Sequence, residues 1–393
     1  MAERIQVADA GAAACSALGH SVCGVGVAVT SFAMPRRRLV RAAWIGLLAC
    51  AACSSEFATS GTRTGNNGGN TSADSSNWLV LGAGLDGYVL ALTSYDNALI
   101  AGGLFNTAGG AALGRVASWD GTSWHALGSG VNGAVRAFAV MGNDLIVGGS
   151  FTTAGGVAAN HVAKWNGSAW SSLGTGMDAE VYALVVFNGN LYAGGSFATA
   201  GGNNIANIAR WDGSAWQPVG LGVNDQVQAM AVFGTQLYVG GDFTTAGGAP
   251  ARYIARWSGT AWSPVGNGQS GTVSSFTVLG NALVAEGFFT VSGDPIQQWD
   301  DASWSTIPGG VSGAVNALTV KDNTLIVGGL FDKIGTTTAS NVARWDGTAW
   351  QALGNGLNDG VLAATVWNGS IVVGGTFTNS GSTIVNYVAR WAR

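Results

Sequence analysis

Apolar residues recur along most of the chain in short β-rich runs, and Gly, Asn and Asp turns separate these runs. Around residue 240, four such runs follow one another at residues 227–233, 237–243, 253–257 and 261–266. The last two runs are joined in several copies by pairs such as Asp212-Gly213. These pairs tolerate positive φ and favour tight hairpins. The pattern therefore predicts four antiparallel strands, which we label A to D in chain order.

Tryptophan positions show that this unit is repeated. One Trp ends each C run, at positions 119, 165, 211, 257, 299, 345 and 391. A second Trp lies in each D run, at positions 78, 124, 170, 216, 262, 304 and 350. The spacing is 46 residues in all copies but one, where it is 42. Four-stranded repeats of this length are typical of β-propeller blades.

The two ends of the repeat array complement each other. The array begins with a D run at residues 78–82 and ends with a C run at residues 387–391. Pairing these two runs completes one more blade and leaves no free sheet edge at the seam. An open solenoid would need polar capping repeats instead, and the sequence shows none. We therefore predict an all-β fold, a seven-bladed β-propeller with four antiparallel strands per blade, over residues 78–393.

Glycine pairs recur in strand B, although glycine inside a strand normally weakens it. They stand at positions 102–103, 148–149, 194–195, 240–241, 328–329 and 374–375. We expect them to make room for a large side chain of the same or the next blade, with Trp as the first candidate.

The charges and cysteines of the repeats exclude several classes of function. Residues 78–393 hold 11 Lys and Arg against 17 Asp and Glu, without a basic run. This balance argues against a nucleic-acid partner. The repeats contain no Cys and only two His, His125 and His161, so a thiolate or His-rich metal site is not available. We predict a monomer that needs no cofactor and no metal.

The first 77 residues differ from the repeats and indicate export. Residues 1–33 lack periodicity, and we interpret them as a non-native or disordered extension, with Met34 as an alternative start to Met1. Residues 34–53 combine an Arg-rich start, a short apolar stretch and small residues, as a secretory signal peptide does. Residues 54–77 are rich in Ser, Gly and Asn, which predicts a flexible linker.

The end of this signal resembles a bacterial lipoprotein box, in which a Cys that follows small residues is acylated. Cys53 is one candidate for acylation and Cys50 is the other. The resemblance implies a lipid anchor, whereas an ordinary cleaved signal would leave the protein secreted. We expect an exported protein, either an outer-membrane or cell-surface lipoprotein or a secreted one, which meets a membrane only through that lipid.

The repeats also resemble known propeller families. The Gly doublet of strand B and the two spaced aromatics after it are similar to kelch-type blades. A longer segment of the repeat reads Leu-Tyr-Val-Gly-Gly-Asp-Phe-Thr-Thr-Ala-Gly-Gly and is followed by Ile-Ala-Arg-Trp. It resembles secreted bacterial propellers of unknown function and the fungal cortical polarity-marker family. This resemblance covers residues 78–393. It implies a surface propeller and supplies no catalytic residues.

Two sets of polar residues are candidates for ligand binding. The D–A loops carry acceptors at Asp86, Asn132, Asp178, Asn224 and Asn358. These residues either form a ring that binds a cation or sugar hydroxyls, or satisfy the backbone of their own turns. The second set is the variable second position of strand A, held by Leu90, Arg136, Tyr182, Gln228, Ser274, Asn316 and Leu362. Its variation marks either a specific binding surface or unconstrained drift.

The fifth blade departs from the repeat. Glu286 replaces the first Gly of the doublet, and the B–C loop is four residues shorter than in the other blades. Burial would raise the pKa of a carboxyl group inside a strand. Glu286 is therefore the one weak candidate for a catalytic residue, and the alternative is a degenerate blade.

These observations leave the function open. We favour a non-catalytic binding or adhesion module on the cell surface or in the medium, with a surface glycan or a protein as its ligand. The alternative is a carbohydrate-active hydrolase or lyase that uses the loop face, so the question of enzymatic activity stays undecided.

Overall fold

The computed structural model describes residues 77–289 and 295–392, which form the seven-bladed β-propeller expected from the sequence. Each blade is a four-stranded antiparallel sheet in the order A-B-C-D. Within these two segments, no helix has the length and apolar character needed to cross a bilayer. The predicted extension, the signal with Cys50 and Cys53, and residues 54–76 of the linker lie outside the described residues, so those assignments stay predictions.

The strands follow one another with the same bounds in most blades. The A strands, from blade 1 to blade 7, are Val89–Tyr95, Val135–Met141, Val181–Phe187, Val227–Phe233, Val273–Leu279, Ala314–Lys321 and Val361–Trp367. The B strands are Ala98–Gly103, Asp144–Gly149, Asn190–Gly195, Gln236–Gly241, Ala282–Gly287, Thr324–Leu330 and Ser370–Gly375. The C strands are Val116–Trp119, Val162–Trp165, Ile208–Trp211, Ile254–Trp257, Ile296–Trp299, Val342–Trp345 and Val388–Trp391. The D strands are Trp124–Ala126, Trp170–Ser172, Trp216–Pro218, Trp262–Pro264, Trp304–Thr306, Trp350–Ala352 and, for blade 7, Trp78–Val80.

A short hairpin inside the B–C loop is a feature that the strand pattern did not predict. Its two strands have two residues each and pair with each other. They are Thr107–Ala108 with Ala111–Ala112, Thr153–Ala154 with Val157–Ala158, Thr199–Ala200 with Asn203–Asn204, Thr245–Ala246 with Ala249–Pro250, Lys333–Ile334 with Thr337–Thr338, and Asn379–Ser380 with Thr383–Ile384. In the described part of blade 5, the shorter loop shows no such hairpin.

Blade 7 closes the ring by joining the two ends of the repeat array. Trp78 pairs with Trp391, Leu79 with Arg390 and Val80 with Ala389. The first pair has the register of an ordinary C–D hairpin, such as Trp165 with Trp170 in blade 2. The seam is therefore a C–D hairpin without its connecting turn, as the sequence predicted.

A circle of tryptophan hydrogen bonds ties each blade to the one before it. The Trp of every D strand donates its indole N–H to a backbone carbonyl of the preceding blade, with N···O distances of 2.7–3.2 Å. Its ring lies beside the Trp that ends strand C, with ring centroids 5.0–5.4 Å apart. The bond from Trp78 to the Leu353 carbonyl oxygen closes the circle across the seam.

The glycine doublets serve a packing role, but Trp is not the side chain they accommodate. A Cβ atom on Gly102 would lie 2.4 Å from Val135 Cγ1 of the next blade, and one on Gly103 would lie 2.0 Å from the Tyr88 carbonyl oxygen. The first glycine therefore admits the valine of the neighbouring strand A, and the second admits the backbone of its own blade. Trp rings instead approach the glycines that follow strand D, such as Gly82 beside Trp119.

Candidate ligand site at the channel mouth

The seven A strands surround a central channel, in which a cavity of about 270 Å³ is found. A β-bulge in each A strand leaves the second residue out of the pairing register with strand B. Bulges re-aim side chains, and here Leu90, Arg136, Gln228, Ser274, Asn316 and Leu362 line the cavity. Six of the seven variable positions of strand A thus face the channel.

We define the channel mouth as the end of the channel on the side of the B–C and D–A loops. In each blade it includes three positions. They are the residue before the first valine of strand A, the residue after that valine, and the residue that follows the glycine doublet. In blade 4 these are Gln226, Gln228 and Asp242, and the Asp242 N–H donates to the Gln226 carbonyl oxygen at 3.0 Å. The same backbone bond joins Ser196 to Glu180 in blade 3.

The blade 2 and blade 3 side of the mouth is built around Arg136. Its Nε lies 3.2 Å from Glu180 Oε2, and its guanidinium carbon lies 5.6 Å from the centre of the Tyr182 ring. Nε itself is buried and lacks the alignment for a hydrogen bond to that carboxylate. Burial raises the pKa of the Tyr182 hydroxyl above its ordinary value, so this group is neutral near pH 7.

Asp242 is the centre of the blade 4 side of the mouth. Its carboxylate accepts hydrogen bonds from the side chains of Gln226 and Thr272, and Gln228 Nε2 lies 3.3 Å from the same group. Thr272 belongs to blade 5, so the carboxylate also bridges two blades. We call these residues, together with Arg136, Glu180 and Tyr182, the polar arc; it extends over blades 2 to 5.

The other side of the mouth is largely apolar. We call its residues in blades 5, 6, 7 and 1 the apolar arc: Phe288, Leu330, Leu362, Tyr88, Leu90 and Leu104. Phe288 and Leu330 are 52% and 46% exposed, which is unusual for side chains of this size. Tyr88 lies against Tyr387, with ring centroids 5.9 Å apart. Ser274, Asn316 and Thr376 are the polar exceptions on this side.

The acceptors of the D–A loops are engaged within the fold. Each side chain accepts two backbone N–H bonds, at 2.7–2.9 Å, from the start of the B–C loop of its own blade. The residues are Asp86, Asn132, Asp178, Asn224 and Asn358. Burial raises the pKa of Asp178, but the N–H groups of Thr199 and Ala198 outweigh it and hold the pKa below its ordinary value. Their use by a ligand stays a prediction.

Glu286 lies inside the propeller and not at the mouth. Its side chain is 1% exposed, and it occupies the strand face on which Val284, two residues earlier, packs against Val315 and Leu318 of blade 6. Ser275, at a position held by Ala in the other blades, stands opposite it in strand A. Burial raises the pKa of Glu286 well above its ordinary value, and its Oε1 has no hydrogen-bond partner. A catalytic role for Glu286 stays a prediction.

Glu286 should make stability depend on pH. The unfolded chain loses this proton near the ordinary pKa of 4.5, whereas the folded protein retains it to a higher pH. Stability is therefore lost as the pH rises from 4.5 to the pKa of the folded state. In a calorimetric series from about pH 4 to about pH 8, the Tm of Glu286→Gln should increasingly exceed that of the wild type.

The control for this experiment is Glu180→Gln, which removes a partly exposed carboxylate of the same type that lies beside Arg136. It corrects for the change in net charge. A Tm difference between Glu286→Gln and the wild type that stays constant over the whole range would contradict the burial argument.

A second group of titratable side chains lacks the geometry of a catalytic centre. On the opposite face, Asp120 and Ser123 both contact His125 Nε2, at 2.7 Å and 3.0 Å. A catalytic triad uses the two different ring nitrogens for these contacts. Among residues 77–289 and 295–392, no three His, Cys, Asp or Glu side chains are grouped as metal ligands would be.

Part of the mouth was predictable from the sequence. Arg136, Tyr182 and Gln228 were named as candidates, and the structure places them on the polar arc. Glu180, Gln226, Asp242 and Thr272 were not named. Their positions in the repeat could have identified them. The residues before strand A and after the glycine doublet vary between blades, as the second residue of strand A does.

Comparisons with family models confirm the resemblance to propeller families. Residues 205–366, less than half of the chain, match the Rax2 C-terminal beta propeller domain. Residues 368–390 match the beta-propeller domain of unknown function DUF5122. No curated protein matches the chain significantly.

Solved structures share the fold at low sequence identity. The WD40 β-propeller domain of Doa1 aligns with a TM-score of 0.52 and 14% identity, over 78% of this chain and 93% of that one. The extracellular domain of a putative one component system from B. thetaiotaomicron aligns with a TM-score of 0.53 and 13% identity, over 80% of this chain. The aligned part spans only 40% of the B. thetaiotaomicron chain. These similarities show the fold alone.

Proposed function

We propose that the protein is an exported, non-catalytic binding module that holds its ligand at the channel mouth. One observation carries the proposal. The Trp, Gly and Val positions that build the blades repeat around the ring, whereas the three mouth positions differ from blade to blade. The fold does not need these side chains, and binding residues are commonly carried on such a rigid scaffold.

Export is part of the proposal and rests on the sequence. Residues 34–53 have the composition of a signal peptide, with Cys53 or Cys50 as the site of a lipid anchor. The similarity to an extracellular domain from B. thetaiotaomicron is compatible with a location outside the cytoplasm. We propose a cell-surface or secreted location on these grounds.

The alternative function, a carbohydrate-active hydrolase or lyase, has one supporting observation. Glu286 has a raised pKa, as a general acid requires. Its side chain is nevertheless buried between blades 5 and 6, away from the mouth. Most glycosidases place two carboxyl groups on either side of the bond that is cleaved. The burial of Glu286 away from the mouth therefore favours binding over catalysis.

The proposal is tested by binding of the full chain to a glycan array and to a phage-displayed peptide library. We expect a ligand of one of these classes, and we expect Arg136→Ala to lose it. Lys164→Ala is a matched control, because Lys164 also lies in blade 2 and pairs with one carboxylate, Asp144, at 3.1 Å. Equal binding by both variants would refute the mouth as the site. Polysaccharide turnover that Glu286→Gln abolishes would support the enzyme.

A further inference from the structure

The charges of the polar arc are paired within the protein. Arg136 lies beside Glu180, and the Asp242 carboxylate is approached by three side-chain donors. An ionic ligand would have to displace these contacts and pay the cost of desolvating its own charge. The repeat region as a whole is acidic, which further disfavours polyanions. The mouth therefore suits a neutral ligand.

Two buried polar atoms at the mouth make no hydrogen bond, although one of them, Arg136 Nε, lies 3.2 Å from Glu180 Oε2. Arg136 Nε is a donor only, and the Ser274 hydroxyl both donates and accepts; neither atom makes a hydrogen bond. Ser274 lines the cavity together with the amides of Gln228 and Asn316, which also both donate and accept. Buried polar atoms are normally hydrogen-bonded. Groups of this kind are matched by hydroxyls, because a hydroxyl also donates and accepts.

The apolar arc requires that one side of the same ligand be apolar. Leu90 and Leu362 line the cavity opposite the polar arc, and the Tyr88–Tyr387 pair adds aromatic surface nearby. A sugar ring has this two-sided character, since its hydroxyls project from the rim while its C–H groups form an apolar face. Aromatic and aliphatic side chains cover such a face.

The size of the cavity limits how much of the ligand enters. Its volume of about 270 Å³ lies just below the range of roughly 300–1,000 Å³ for pockets that hold drug-sized molecules. One ring of a larger chain fits a space of this size, whereas a branched or internal segment needs a groove. The ligand therefore enters by its end.

We propose that the channel mouth binds the terminal sugar of a neutral glycan. The hydroxyls of that sugar bond to Arg136, Gln228 and Ser274, and its C–H face lies on the apolar arc. This inference rests on the proposed function and specifies its ligand class.

Ser274→Ala is the sharpest test. In the free protein the hydroxyl has no partner, so its removal should leave the Tm unchanged or slightly raised. On an array of neutral oligosaccharides of glucose, mannose, galactose and N-acetylglucosamine, the full-length variant should bind about tenfold more weakly. Gln228→Leu should show the same loss, Lys164→Ala should show none, and the matching free monosaccharide should compete.

The array also carries uronic-acid and sulfated counterparts of each glycan. Binding to these charged glycans alone, or to peptides alone, with loss in Arg136→Ala would overturn the ligand class while leaving the binding function in place. Neutral-glycan binding that is unchanged in Ser274→Ala and Gln228→Leu would show that the glycan binds away from the mouth, and would overturn this assignment. A Tm that falls in Ser274→Ala would show that the hydroxyl has a structural role and would also overturn the assignment.

Discussion

Replacing Trp78 with alanine is expected to lower the free energy of unfolding by about 3–5 kcal/mol, as for other buried Trp residues, and to open the ring at blade 7. Trp78 is fully buried, donates to the Leu353 carbonyl oxygen at 3.0 Å and packs on Trp391. The seam has no covalent turn, so these contacts hold it closed. Chemical denaturation gives the energy, and hydrogen exchange at residues 78–80 and 388–391 reports the opening.

Trp216→Ala is the matched control for the seam. Trp216 is 2% exposed and donates to the Leu173 carbonyl oxygen at 3.0 Å, but its strand is joined to strand C by a covalent turn. We expect a similar loss of stability without faster exchange at the seam. If both variants exchange equally at residues 78–80, the seam is no weaker than any other blade.

The second large effect is expected for Gly149→Ala, with a loss of about 3 kcal/mol, the upper end of the range for overpacking. The new Cβ would lie 1.9 Å from the Ala134 carbonyl oxygen. This oxygen belongs to the backbone at the start of strand A, so strands A and B of blade 2 must separate. The free energy of unfolding from a denaturant titration measures the loss.

Two glycine variants in the same blade give the comparison. In Gly148→Ala the nearest atom is Val181 Cγ1 at 2.7 Å, a side chain that can move, so we expect about 1–2 kcal/mol. In Gly142→Ala no atom lies within 4 Å, and only the positive φ of 62° is unfavourable, at about 1 kcal/mol. A loss for Gly149→Ala no larger than for Gly142→Ala would contradict the close approach.

The fold was predictable because the spacing of the repeat shows where each blade begins and ends. Trp spacing fixed the number of blades, and the D run at residues 78–82 could pair only with the C run that ends the array. The partner of the glycine doublet was not predictable, because it depends on how neighbouring blades pack and on which way a Cβ atom points. The tryptophans, although the largest side chains, pack beside other glycines.

The candidate site was predictable only where variation stood out against a constant background. The second residue of strand A was noticed because its neighbours in the strand repeat. Asp242 and Glu180 lie next to loops, where variation is ordinary, so only the bulge and the backbone bonds of strand A place them at the mouth. Glu286 stood out as a carboxylate in a strand, but its burial between blades depends on the packing of blade 6.

The seam also shows that the order of the strands along the chain can change without changing the ring. The Trp78–Trp391 pair has the same register as the Trp–Trp pair across every C–D turn. The ring therefore contains seven equivalent C–D junctions at which the polypeptide can be open. In this chain the open junction is the one in blade 7. A circular permutant linked from residue 391 to residue 78 and opened at Asp212-Gly213 encodes the same seven sheets, with the mouth unchanged.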